Sequence, residues 1–147
     1  MSIATLWPDD ISREVSLLYG FVVQLIAGAD GHLSLAEREL FYAQAQSRNI
    51  PGDILNEWKK YDWQEGDVDK LIAELKPHLS LKLARLLIYD AIRIAGADAS
   101  YPLEEQDAVR QAAEILGVSE KLVAEMEILA SLEKNVEDLK RMVFFST

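Results

Sequence analysis

Three observations predict an all-α fold. Apolar residues recur at spacings of three and four along most of the chain, which is typical of helices with a buried face. Serine residues suited to cap a helix precede several of these stretches, at Ser34, Ser80 and Ser119. The alternation of apolar and polar residues that indicates a half-buried strand is weak throughout.

Length and composition limit the class of protein. The 147 residues are 50% hydrophobic, which suits one domain with a substantial core. With 25 acids and 15 bases the formal net charge is −10, which argues against nucleic acid as the main partner and against anionic membrane surfaces.

The longest apolar stretch, residues 17–29, is too short for the ~20 residues that span a bilayer. There is no cysteine, which excludes disulfides and thiolate sites. We expect a cytoplasmic protein with no membrane insertion.

The spacing of apolar residues predicts about seven helices. The first should be capped by Asp9 or Asp10 and run to about Gly28, and it should be buried because apolar residues lie on all its sides. The others are expected at about 35–48, 51–61, 68–75, 81–96, 103–116 and from 120 towards 143. A break near Ser131 is left open in the last of them.

An internal repeat divides the single domain, residues 1–147. Residues 18–51 align without gaps on 86–119, and the segment IAGAD at 26–30 recurs unchanged at 94–98. Each unit is a buried helix, an acidic loop and an amphipathic helix. We expect the two halves to pack through their buried helices about a pseudo-two-fold axis, with residues 120–147 as a C-terminal helical extension.

The two loops carry acids at matched positions. Asp30 is followed seven residues later by Glu37, and Asp98 is followed likewise by Glu105. An Asp at a helix C-terminus faces the negative end of the helix dipole, which costs ~0.3–1 kcal/mol and needs compensation. A bound cation would supply it, and so would an Asx turn. Carboxylates suit a hard divalent cation such as Ca²⁺ or Mg²⁺.

The two glutamates differ in their local sequence. Ser34 followed by Glu37 predicts a capping box, in which each side chain accepts a backbone N–H. In the second copy Pro102 replaces the serine and cannot cap through its side chain, although Glu105 is present. This points to a second role shared by both glutamates, such as holding an ion or the other loop, while loop and cap architecture alone stays the alternative.

No catalytic constellation is evident. There are two histidines and no plausible combination of nucleophile, base and oxyanion donor, so we expect no enzymatic activity. Asp90 lies within an otherwise apolar helix, where an unpaired carboxylate would be costly. Arg93, three residues later, is its expected partner in a structural salt bridge, unless the edge of the helix is exposed.

The C-terminal helix carries an apolar stripe at alternating spacings of three and four, formed by Leu129, Leu132, Val136, Leu139 and Val143. Such a stripe either docks on its own domain or pairs with another helix. Phe144 and Phe145 follow it. A partner protein or a homodimer is therefore expected through this helix.

The repeated loop resembles the TerB-like family of tellurite-resistance-associated proteins. The resemblance rests on ADG at 29–31 with its following helix and on EEQDAVRQAAEILGV at 104–118, and it covers about 20–51 and 86–118. It implies about seven helices in two related halves, a bacterial cytoplasmic protein of a tellurite or stress response, and no defined catalytic activity. It further implies divalent metal binding by the loop acids, here Asp30, Glu37, Asp98 and Glu105. Ala99 departs from the expected glycine, which predicts a different backbone path there.

Two functions follow as expectations. The first is a non-enzymatic acidic module of a stress system that binds a divalent cation at the repeated loops. The alternative is an interaction or dimerisation scaffold that works through the C-terminal helix and has no metal role.

Overall fold

The structure, a computed structural model, describes residues 2–98 and 100–146, and within these ranges it contains seven α-helices and no strand. The helices are α1 (Arg13–Ala27), α2 (Leu35–Ser47), α3 (Gly52–Lys60), α4 (Val68–Leu75), α5 (Leu81–Ala95), α6 (Leu103–Leu116) and α7 (Glu120–Phe145). Short 3₁₀ turns lie at Ile3–Leu6, Trp63–Glu65 and Lys76–His78. The predicted all-α fold is confirmed.

Local side-chain chemistry sets most helix ends. The hydroxyls of Ser34, Ser80 and Ser119 each accept the backbone N–H three residues later, which satisfies one of the unpaired donors of α2, α5 and α7. Asn49 and Gly117 adopt the left-handed backbone conformation that ends α2 and α6, with φ of 56° and 76°. These ends therefore fall within a residue or two of their predicted positions.

The predicted start of the first helix is wrong. α1 begins at Arg13, and its N-cap is Ser12, whose hydroxyl accepts the N–H of Val15 at 3.1 Å. Asp, Asn and Ser are about equally good caps, so the local sequence does not choose among Asp9, Asp10 and Ser12. The segment before α1 instead packs back on this helix, where the Trp7 ring lies edge-on against Tyr19 with centroids 4.8 Å apart.

The core is built around α1 and α5, which pack against each other as expected. α1 also contacts α3, α4 and α6, and α5 also contacts α2, α6 and α7. Because each central helix is surrounded, most of its side chains are buried, including Ser16 on α1 and Asp90 on α5. The loops that follow the two central helices are the acidic loops of the predicted repeat.

The contact between α1 and α3 depends on a glycine. A Cβ atom added at Gly20 would lie 2.1 Å from Cε2 of Trp58, so the indole occupies the space that a side chain would need. The same indole donates its N–H to the carbonyl of Leu17 at 3.2 Å. Gly20 thus permits Trp58 to pack directly on the α1 backbone.

α7 is a continuous helix through Ser131, without the break that the sequence left open. Its first half is anchored to α5 and α6 through Val123 and Ala130, which are buried. Residues 135–146 are exposed. Among the described residues, no helix, α7 included, is both long enough and apolar enough to cross a bilayer.

Candidate acidic site

Each acidic loop opens with an Asx turn. Asp30 Oδ1 accepts the backbone N–H of His32 at 3.0 Å, and Asp98 Oδ1 accepts that of Ser100 at 3.1 Å. These bonds confirm that an Asx turn compensates each Asp after its helix. One oxygen of each carboxylate is thereby engaged with its own loop.

Glu37 forms the predicted capping box. Its backbone N–H donates to the Ser34 hydroxyl at 3.1 Å, and its Oε1 accepts the Ser34 N–H at 2.9 Å. Capping accounts for only one of its two carboxylate oxygens. Glu37 is 4% exposed, and its Oε2 is buried without a hydrogen bond from any described residue.

Glu105 has the same position on α6 without the capping partner. Its N-cap residue is Pro102, which has no N–H to donate and makes no side-chain cap. Glu105 is nevertheless only 1% exposed, and none of the described residues gives its buried Oε2 a hydrogen bond. Burial of a carboxylate without a partner is costly, so helix capping does not explain this residue.

Electrostatics link the two loops. Burial raises the pKa of Glu37, while its hydrogen bonds to Ser34 partly offset the rise. At Glu105, burial is again the largest cause of a raised pKa. The neighbouring negative charges of Asp30, Glu37 and Asp98 add to it, and the pKa reaches about 8. Acids of the first loop therefore act directly on a glutamate of the second half. We call Asp30, Glu37, Asp98 and Glu105 the acidic site.

The acidic site is a region of concentrated negative charge rather than a closed coordination sphere. Within the described ranges, no three histidine or acidic side chains converge closely enough to hold a metal ion. Glu37 lines a small cavity of about 110 Å³ beside α2. The different backbone path expected at Ala99 lies outside the described residues. Chemically, this arrangement favours uptake of a proton or of a cation.

The comparisons with known proteins agree with this fold. The family model described as "Tellurite resistance protein TerB" matches residues 19–127, which include the whole acidic site. The chain belongs to the TerB family. Membership makes it a tellurite-resistance-associated module.

A solved TerB-like structure shares the fold. The crystal structure of a tellurite resistance protein from Nostoc punctiforme superposes with a TM-score of 0.71 at 23% sequence identity. The match covers 93% of this chain and 84% of that one. No curated protein matches this sequence. The TerB family match ends at residue 127, inside α7, so the exposed second half of that helix lies beyond it.

This TerB-family protein also contains a buried ionic cluster that sequence reasoning did not find. The Arg48 guanidinium donates to both oxygens of Asp90, at 2.7 and 2.8 Å, and the Tyr19 hydroxyl donates to Asp90 at 2.7 Å. The Trp7 ring covers the guanidinium, with its centroid 5.5 Å from Cζ. The expected Asp90–Arg93 bridge is wrong, because Arg93 faces α7 and pairs with Glu133 at 3.3 Å.

The Asp90 cluster, formed by Tyr19, Arg48 and Asp90, has a structural role. The side chains of Arg48 and Asp90 are only 8% and 2% exposed, so water is largely excluded. The cluster joins α1, the end of α2 and α5. Arg48 and Asp90 are 42 residues apart, and no local spacing signals their contact.

A groove of about 530 Å³ separates α2 and α5 from the second half of α7. None of the acidic-site residues lines it. The second half of α7 contributes four charged residues to its lining, Lys134, Glu137, Asp138 and Arg141. The inner face of the second half of α7 is therefore polar.

Proposed function

We propose that this TerB-family protein is a cytoplasmic, non-enzymatic module that binds a hard divalent cation, Ca²⁺ or Mg²⁺, at the acidic site, and that a partner protein reads the bound state. One observation carries the proposal. The Oε2 atoms of Glu37 and Glu105 are buried without a hydrogen-bond donor among the described residues. Such atoms require a proton or a cation to offset the cost of burial.

The chemistry of the donors suits a hard cation. Ca²⁺ and Mg²⁺ prefer carboxylate and carbonyl oxygens, and the acidic site supplies four carboxylates. Burial and, after it, repulsion from the neighbouring acids raise the pKa of Glu105, and a positive ion would offset that repulsion. A cation that competes with the proton on Glu105 would release that proton on binding.

Binding would couple the two loops. Glu37 and Glu105 are fixed on the first turns of α2 and α6, whereas Asp30 and Asp98 lie on the more exposed loops before those helices. A shared ion would draw the loop carboxylates towards the buried ones and so connect the two halves. A stiffened pair of loops is the state that a partner would recognise.

Calcium or magnesium should raise the melting temperature of the protein after treatment with a chelator. A ligand that binds only the native state at ten times its dissociation constant stabilises it by about 1.4 kcal/mol. For a chain of this length that corresponds to a rise of about 3–6 °C, measured by circular dichroism. No rise in the parent protein with either ion would rule out the cation site.

A pair of double variants separates site binding from general screening of the acidic chain. Asp30→Asn with Asp98→Asn should abolish the rise, although each Asn can still accept the N–H of its Asx turn. Glu39→Gln with Asp107→Asn also removes two negative charges, at exposed positions on α2 and α6, the helices that follow the two loops, and should keep the rise. Equal loss in both double variants would show that only net charge matters.

A second candidate function is that of an interaction scaffold without a metal role. It is supported by the apolar stripe on α7, which is exposed rather than docked on the domain.

A further inference from the structure

The second half of α7 has its apolar side turned outwards. The α7 stripe, formed by Leu129, Leu132, Val136, Leu139 and Val143, is 43% to 61% exposed at each position. The opposite side of the helix begins with the buried Val123 and Ala130 and continues as the charged wall of the groove. Of the two alternatives that the sequence left open, docking of the stripe on its own domain is therefore wrong. Contiguous exposed apolar surface of this kind marks a contact site.

We propose that α7 pairs with α7 of a second copy of this chain as an antiparallel coiled coil. In that register Leu132 packs against the partner's Val143, and Val136 packs against the partner's Leu139. Two-fold symmetry repeats both contacts, which gives four apolar layers over a helix length of about 17 Å. Because the α7 stripe faces away from the domain, it is open to a second helix.

The charges beside the α7 stripe select the antiparallel arrangement. Glu133 and Lys140 occupy equivalent heptad positions, each directly after an inward leucine. Within its own chain Glu133 pairs with Arg93 through one oxygen, at 3.3 Å, and its side chain stays 37% exposed, while Lys140 lies 3.5 Å from the exposed Glu137. In an antiparallel pair positions 133 and 140 face one another, so the partner's Lys140 extends the Arg93–Glu133 pair, and two-fold symmetry repeats the contact. A parallel pair would instead place Glu133 beside the partner's Ile128 and Lys140 beside the partner's Asn135, without charge pairing.

The distribution of net charge favours the same orientation. Residues 132–147 contain three acids and three bases, so the entire net charge of −10 resides in residues 1–131. Parallel pairing would hold two strongly acidic bodies at the same end of the helices. Antiparallel pairing places them at opposite ends, where solvent ions screen their repulsion.

Self-pairing over four layers should be weak and reversible, and it does not require a bound cation. We expect the average mass of the full chain, measured by sedimentation equilibrium, to rise from that of a monomer towards that of a dimer between about 10 µM and about 1 mM. A chain that stays monomeric throughout this range would overturn the proposal and assign the α7 stripe to a different protein.

Two matched substitutions test whether the α7 stripe is the contact. Leu139 and Leu81 are both 57% exposed, one on the stripe and one at the first position of α5. Leu139→Lys should weaken dimerisation at least tenfold, whereas Leu81→Lys should leave it unchanged. Circular dichroism of both variants shows whether the fold is kept. Equal dimerisation of the two variants would exclude the α7 stripe.

Disulfide cross-linking tests the orientation, since the parent chain has no cysteine. A mixture of Leu132→Cys and Val143→Cys chains should yield a mixed covalent dimer under mild oxidation. Val143→Cys alone should not, because two copies of this position are separated by about 17 Å along the helices of the antiparallel pair, beyond the reach of a disulfide. Efficient self-linking of Val143→Cys would establish a parallel pair instead.

Discussion

Replacing Arg48 with alanine should lower the free energy of unfolding by about 3–5 kcal/mol, because it leaves the Asp90 carboxylate buried without its cation. In the parent protein this carboxylate receives two hydrogen bonds from Arg48 and one from Tyr19. After the substitution only the Tyr19 hydroxyl remains. The change is measured by urea denaturation, followed by circular dichroism.

The exposed ion pair between Arg13 and Asp53 provides the control. Its atoms are 3.0 Å apart, yet both side chains are largely in solvent. Arg13→Ala should therefore cost no more than about 1 kcal/mol. If Arg48→Ala were as mild as Arg13→Ala, the Asp90 cluster would not have a structural role.

In the absence of divalent cations, the stability of the protein should fall as the pH rises from about 4.5 towards about 8. The pKa of Glu105 is about 8 in the folded protein, against an ordinary value of 4.5. Since the folded state holds this proton more tightly than the unfolded chain does, the associated stability is fully present below about 4.5 and is lost by about 8. Because Asp30 and Asp98, whose charges act on Glu105, are more exposed than Glu105 itself, solvent screens part of the effect, and we expect a loss of about 2–3 kcal/mol.

Two adjacent substitutions isolate this contribution. Glu105→Gln should flatten the dependence of unfolding free energy on pH, measured with a chelator present between pH 4.5 and 9. Glu104→Gln changes the exposed neighbouring glutamate and should retain most of the parent's slope. Identical slopes for the parent and Glu105→Gln would show that Glu105 is not the titrating group.

Features set by neighbouring residues were predictable from the sequence. The capping box joins Ser34 to Glu37, three positions later, and it is present. The left-handed backbone at Asn49 and Gly117 depends on the residue type at each position, and it is present as well. The buried central pair α1 and α5 was also predictable, because helices that are apolar on all sides must be surrounded.

Features set by distant contacts were not predictable in the same way. Asp90 has a plausible local partner in Arg93, and only the folded chain shows that Arg48 reaches it instead. Similarly, the matched spacing identified Glu105 as a candidate, but its almost complete burial depends on how α6 packs in the bundle. An apolar stripe by itself does not reveal whether the domain covers it, because that depends on the course of α7.

The close packing of Gly20 and Trp58 makes these two positions epistatic. Any larger residue at 20 collides with the indole, so its effect depends on what occupies position 58. A smaller residue at 58 would leave a void that a side chain at 20 could fill. Folded variants at this junction should therefore conserve the combined volume of the pair rather than the identity of either residue.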